Sequence, residues 1–203
     1  RKLISSDGPR QEVVKSLYKA NYIPMLMTNA PVLLRFAECT DEALRTVIAI
    51  SRTTDQGMTA RIVPALFEHG ALIFSILALK EHRTASNSIN IQGMEMMTTM
   101  LNYVSDAQRA KQEEEDDNAE RPASRGHNST TKSASFNDSS IQFGSKKDPA
   151  AKLVQDAVHQ LLLHGAAALL VRMLATSISS ASETATRRAI FCTRFLLENT
   201  PLQ

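Results

Sequence analysis

Apolar residues recur three and four positions apart along most of this chain, with polar residues filling the intervals. Leu44, Val47 and Ile48 share one helical face, while Arg45 and Arg52 point elsewhere. Ile91, Met94, Met97, Met100, Leu101 and Val104 form a second stripe, and Ile190, Phe191, Phe195 and Leu196 a third. Val14, Leu17 and Tyr18 belong to an opening helix. This spacing fits a helical turn and not the two-residue alternation of a half-buried strand. Met96 falls off its stripe and is expected to face outward. Thr40 or Asp41, Asn87 or Ser88, and the pair Ser182-Glu183 supply side chains suited to helix starts, because their oxygens can satisfy first-turn amides. Strand alternation with Asn-Gly turns does not occur. The pattern predicts an all-α protein.

The periodicity stops near Val104. From Ser105 to Asp148 the large apolar residues are few, notably Phe136, Ile141 and Phe143, and charge is dense. Nine acids against seven bases leave this segment at −2, so the remainder carries 16 bases against 12 acids, or +4. So polar a stretch cannot bury enough area to offset its ordering entropy. A disordered polar insertion over 105–148 is therefore expected between helical regions at 1–104 and 149–203. Its first part, Asp106 to Glu120, can extend the preceding helix into solvent.

With the insertion set aside, three stretches align: N-Y-I-P-M-L-M from Asn21, G-A-L-I-F-S-I from Gly70 and G-A-A-A-L-L-V from Gly165. Each follows a short helical piece, at Glu12–Lys19, Arg61–Glu68 and Lys152–Leu163, and precedes a polar break and a second amphipathic helix. Asn21 and Gly70 lie 49 residues apart; Gly70 and Gly165 lie 95 apart, which becomes 51 without the 44-residue insertion. A steep turn between helices requires a residue that tolerates left-handed backbone, and glycine then asparagine do so most cheaply. Asn21, Gly70 and Gly165 are the expected helix junctions. Pro24 suits the first turn of the helix that follows, where its missing N–H costs little. Pro64 is expected to interrupt one helix and Pro31 to end another early.

Asn21-Tyr22-Ile23-Pro24-Met25-Leu26 and Gly70-Ala71-Leu72 resemble the Gly-Ala-(Ile/Leu)-Pro-x-Leu opening of the long third helix in armadillo repeats, and Gly165-Ala166-Ala167 matches it more loosely. Glu42-Ala43-Leu44-Arg45 and Thr184-Ala185-Thr186-Arg187 are similar to the start of that family's second helix. The period of about 50 sits slightly above the roughly 40–47 typical of armadillo and HEAT units. The resemblance implies a right-handed α-solenoid of about three armadillo-like repeats and a groove that holds a protein or peptide partner. It would place Thr28, Ser75 and Arg172 in that groove, with Arg35 and Lys80 near its rim. The import-receptor branch of the family uses a groove ladder of Trp and Asn; this chain contains no Trp, which disfavours that role.

Composition narrows the chemistry further. Aromatics are only 5% and hydrophobic residues 43%, so the core must be built from Leu, Ile, Ala, Val and Met. A net charge of +2 gives no argument for a nucleic-acid partner. The longest nearly apolar run, Gly70 to Leu79, is far below the roughly 20 residues of a membrane span. No Gly-x-Ser-x-Gly, phosphate loop or dinucleotide fingerprint appears. No enzymatic activity, cofactor or metal is expected. His69 and His164 both precede junction glycines, where a polar side chain suits the free carbonyls of a last turn. Cys39 and Cys192 are expected to be buried reduced thiols. The Met cluster Met94, Met96, Met97 and Met100 reads as core. Ser133 and Ser135, near Arg125 and Lys132, suit phosphorylation by basic-directed kinases. Asn128-Ser129-Thr130 and Asn137-Asp138-Ser139 match glycosylation acceptors that only a secreted chain could use. The chain opens on Arg1, so a segment of a longer polypeptide is expected, with contacts to further repeats of it. Together these features predict a cytoplasmic or nuclear scaffold or adaptor. The alternatives are a regulatory or autoinhibitory domain of a larger enzyme and a chaperone-like client-binding module.

Overall fold

The computed structural model describes residues 7–52, 56–82, 87–120, 149–179 and 182–200. Among these residues it is all-helical. The elements are α1 (Asp7–Lys19), α2 (Tyr22–Thr28), α3 (Ala30–Leu33), α4 (Ala37–Ser51), α5 (Gln56–Glu68), α6 (Ala71–His82), α7 (Asn87–Glu120), α8 (Pro149–Leu163), α9 (Ala166–Ser179) and α10 (Glu183–Asn199).

Three residues among those described carry positive φ: Asn21 at 53°, Gly70 at 87° and Gly165 at 68°. Each terminates one helix and opens the next with the same backbone bonding. The amide of the junction residue donates three residues back, Asn21 to Tyr18, Gly70 to Phe67 and Gly165 to Leu162. The residue before it donates four back, as Ala20 to Ser16, His69 to Ala65 and His164 to Gln160. The left-handed residue thus closes the last turn and redirects the chain. The turn is 60° between α5 and α6 and 75° between α8 and α9. No atom lies within 4 Å of a Cβ built on Gly70 or Gly165, so backbone conformation, not space, selects glycine there.

The core is centred on α7, against which α4, α5, α6, α8 and α10 all pack. Met94, Met97, Met100, Leu101 and Val104 are buried on it, as their spacing predicts, and Ile89 is buried with them. Met96 is also fully buried, against expectation, because α7 is enclosed on more than one side. Gly93 permits the close approach of α6: a Cβ there would lie 2.8 Å from Leu79 Cγ. Ile91 and Ile190, placed in stripes by periodicity, are exposed instead. Cys39 is exposed too, leaving only Cys192 as a buried free thiol.

Helix starts differ in detail. α7 begins at Asn87, and Ser182 precedes α10 in extended conformation. α4 begins earlier than expected, after the extended residue Phe36. Thr40 is therefore not a cap. It is buried in the first turn, where its hydroxyl donates to the carbonyls of Leu33 and Phe36, at 2.9 and 3.0 Å, tying α3 to α4. Pro31 lies in the first turn of α3, whereas α5 continues through Pro64 without a break.

The segment expected to be disordered from 105 begins as helix. α7 runs on to Glu120, the extension expected over Asp106 to Glu120, since a residue such as Glu113 favours helix even at an exposed position. Residues 121–148 lie outside the described structure.

A polar cluster centred on Glu95 links α4, α7 and α10. Glu95 on α7 receives Arg52 at the C-terminal end of α4 and Arg188 on α10, the latter at 3.0 Å to Oε2. Arg188 also donates to the Ile91 carbonyl at 3.2 Å.

Candidate functional site

α6 and α9, the helices that open at Gly70 and Gly165, lie against each other. Their meeting edge forms a depression of about 310 Å³ lined by Lys80, Gly165, Ala168, Leu169 and Arg172. Four of these come from one face of α9 and its junction, because positions 165, 168, 169 and 172 recur at helical spacing. Leu169 is buried and forms an apolar floor, while Arg172 is exposed.

Lys80 stands in the last turn of α6, and its Nζ donates to the His164 carbonyl at 3.3 Å. That carbonyl belongs to the terminal turn of α8, where intrahelical donors have run out and a cation is favoured by the helix dipole. An ammonium has three donors, so this one bond leaves capacity toward the depression. The Arg172 guanidinium has no ion pair or hydrogen bond among the described residues. Among the described residues no carboxylate lines the depression. The site is a two-cation rim over an apolar floor.

Two other depressions lack this imbalance. One of about 410 Å³ between α7 and α10 includes Arg109 and Arg194, but Asp106 pairs with the first at 3.5 Å and Glu198 with the second at 2.7 Å. Another, of about 470 Å³, is bordered by Pro64, Asn102, Tyr103 and Asp106. Burial, then the negative charge of Glu68, pushes the Tyr103 phenol above its usual range, so it acts there as a neutral hydroxyl.

Of the residues proposed for partner binding, Lys80 and Arg172 come together at this depression. Thr28 is exposed on α2, but its hydroxyl donates to the Pro24 carbonyl at 2.8 Å. Arg35 is exposed in the turn after α3. Ser75 is not available to a partner: it is fully buried, and its hydroxyl donates to the Leu72 carbonyl at 2.7 Å. α6 is enclosed along most of its length, which a groove position inferred from register alone overlooks. Ser133 and Ser135 lie outside the described residues, as do the acceptors at Asn128 and Asn137. Sequence reasoning missed Ala168 and Leu169, although their three- and four-residue offsets from Gly165 point to them.

His69 is exposed at the end of α5 and His164 half-buried at the end of α8. Among the described residues no group of three or more His, Cys, Asp and Glu side chains converges as a metal set. No single helix among them is long and apolar enough to cross a membrane. No family model, curated protein or solved structure matches the chain.

Proposed function

We propose that this chain is a non-catalytic scaffold of the armadillo kind, a right-handed α-solenoid of about three units that binds a protein or peptide along the edge formed by α6 and α9. One observation carries the reading. The same helix, left-handed residue, helix junction occurs at Asn21, Gly70 and Gly165, and each time an amphipathic helix follows that packs beside the next, α4 on α7 and α7 on α10. Repeated units of this sort bury apolar faces that one unit alone leaves exposed, and their stacking creates an extended surface. The Arg172 guanidinium, without a partner among the described residues, and the partly satisfied Lys80 give that surface polar groups whose hydrogen-bonding capacity is still open.

Selection from a displayed random-peptide library against the full chain tests this. Peptides are expected to enrich, and their binding to be lost when Lys80→Glu and Arg172→Glu are combined. Failure to enrich any sequence, or binders indifferent to both reversals, would remove the proposed surface.

A further inference from the structure

We infer that the depression between α6 and α9 selects an acidic peptide, taking a Glu or Asp carboxylate between Lys80 and Arg172 and a neighbouring apolar side chain over Leu169. This rests on the protein-binding reading above and names the chemistry of its partner. Three features of the site lead to it. Among the described residues its rim carries two cations and no acid, so an uncharged or basic occupant leaves both cations uncompensated. Arg172 offers a planar guanidinium with no partner among the described residues, suited to two parallel bonds with one carboxylate. Lys80 is oriented by the His164 carbonyl, so less side-chain freedom remains to be lost on binding.

α9 carries no acidic residue from Ala166 to Ser179, and on α6 the sole acid is Glu81, in the last turn. The field at the depression is therefore not cancelled by its own walls. Exposed Ala168, beside the buried Leu169, adds a preference for an apolar residue next to the acid, because a flanking side chain there removes apolar area from water. About 310 Å³ accommodates one or two side chains, not a folded domain. The occupant is accordingly an extended segment of a protein.

Fluorescence anisotropy on the full chain decides the matter, with three fluorescein-labelled peptides of equal length. One is rich in Glu and Leu, the second replaces every Glu by Gln, and the third replaces every Glu by Lys. The Glu peptide is expected to bind at least tenfold more tightly than the Gln peptide, a ratio worth about 1.4 kcal/mol, and to weaken as salt rises. Arg172→Glu is expected to lower its affinity by about tenfold or more. Arg172→Lys is expected to retain part of it, since charge survives while the two-pronged geometry is lost. Lys152→Glu, at an exposed site on α8, serves as a control and is expected to leave binding unchanged. Circular dichroism establishes that each variant keeps its helices.

Equal binding of the Glu and Gln peptides, or no effect of Arg172→Glu in a folded variant, would overturn the proposal. So would polyuridylate displacing the Glu peptide at lower concentration than unlabelled peptide does, which would make the site a phosphate reader. If library selection yields binders that depend on Lys80 and Arg172 but carry no acid, the scaffold reading stands and the acidic partner falls. If it yields none, both fall.

Discussion

Gly93 offers a prediction whose sign depends on its surroundings. It lies inside α7 and is buried, and an added Cβ would meet Leu79 Cγ at 2.8 Å and Cδ2 at 2.9 Å. Two effects then oppose each other in Gly93→Ala. Alanine favours the helix over glycine by about 1 kcal/mol. Against that, Leu79 must shift, and it is fully buried on α6 with no solvent to move into. Forcing extra volume into a packed core costs about 1–3 kcal/mol. The net expectation is a loss of about 1 kcal/mol. Leu79→Ala alone is expected to cost about 2–5 kcal/mol through the cavity it opens. In that background the obstruction is gone, so Gly93→Ala should stabilise by about 1 kcal/mol through propensity and partial filling of the void. Urea unfolding of the four proteins, followed by helical ellipticity at constant m-value, measures the coupling. If Gly93→Ala has the same sign with and without Leu79, the close approach of α6 and α7 is not what requires glycine.

Gly70→Ala and Gly165→Ala are each expected to cost about 1–2 kcal/mol, since an L-residue must then hold the left-handed conformation although its Cβ meets nothing. Replacement by Asn should cost less; urea midpoints that rank Ala above Asn would contradict this. Arg188→Ala should lower stability by about 1–2 kcal/mol and Arg52→Ala by under about 1, because both share Glu95 but the Arg188 side chain is 20% exposed and that of Arg52 61%. Equal shifts in thermal midpoint would refute that ordering. Burial, the largest influence, pushes the Cys192 thiol up to about 12 from 9.0, against the smaller opposing effects of Thr98 and Arg188. Its native form stays protonated while the unfolded thiol ionises. Stability is therefore expected to fall between pH 9 and 12, by up to about 1.4 kcal/mol per pH unit from this group, and Cys192→Ala should reduce the slope. Iodoacetamide at pH 8 should modify exposed Cys39 in the native protein and Cys192 only after denaturation.

The helices and the junctions were legible without coordinates, because both are local matters. A left-handed turn depends on the residue that makes it and its immediate neighbours, so Asn21, Gly70 and Gly165 announce themselves by residue type and register. The stripe Met94, Met97, Met100, Leu101 and Val104 is legible for the same reason, since helical spacing alone puts those residues on one face. The start of α4 was not, since Thr40 satisfies the carbonyls of Leu33 and Phe36 across the turn instead of capping its own helix.

The acidic tract from Glu113 is locally compatible with both helix and solvent exposure, so the composition boundary at 105 does not end α7, which continues to Glu120 as the expected extension over Asp106 to Glu120 has it. How many sides of a helix are covered is a different kind of fact. Met96 is buried and Ile91 exposed because α7 is surrounded by α4, α5, α6, α8 and α10 unevenly along its length. Ser75 was lost to the core by the same cause.

The candidate site shows the division most clearly. Lys80 and Arg172 could each be named from the chain as positions that the armadillo resemblance implies for a groove and its rim. Their sharing of one depression, and the bond from Lys80 to a carbonyl 84 residues further on, could not. Sequence determined which segments are helical and where the chain turns, because backbone preference is set within a few residues. Only the tertiary structure decided which charges are left without partners, because that depends on what every other helix brings to the same place.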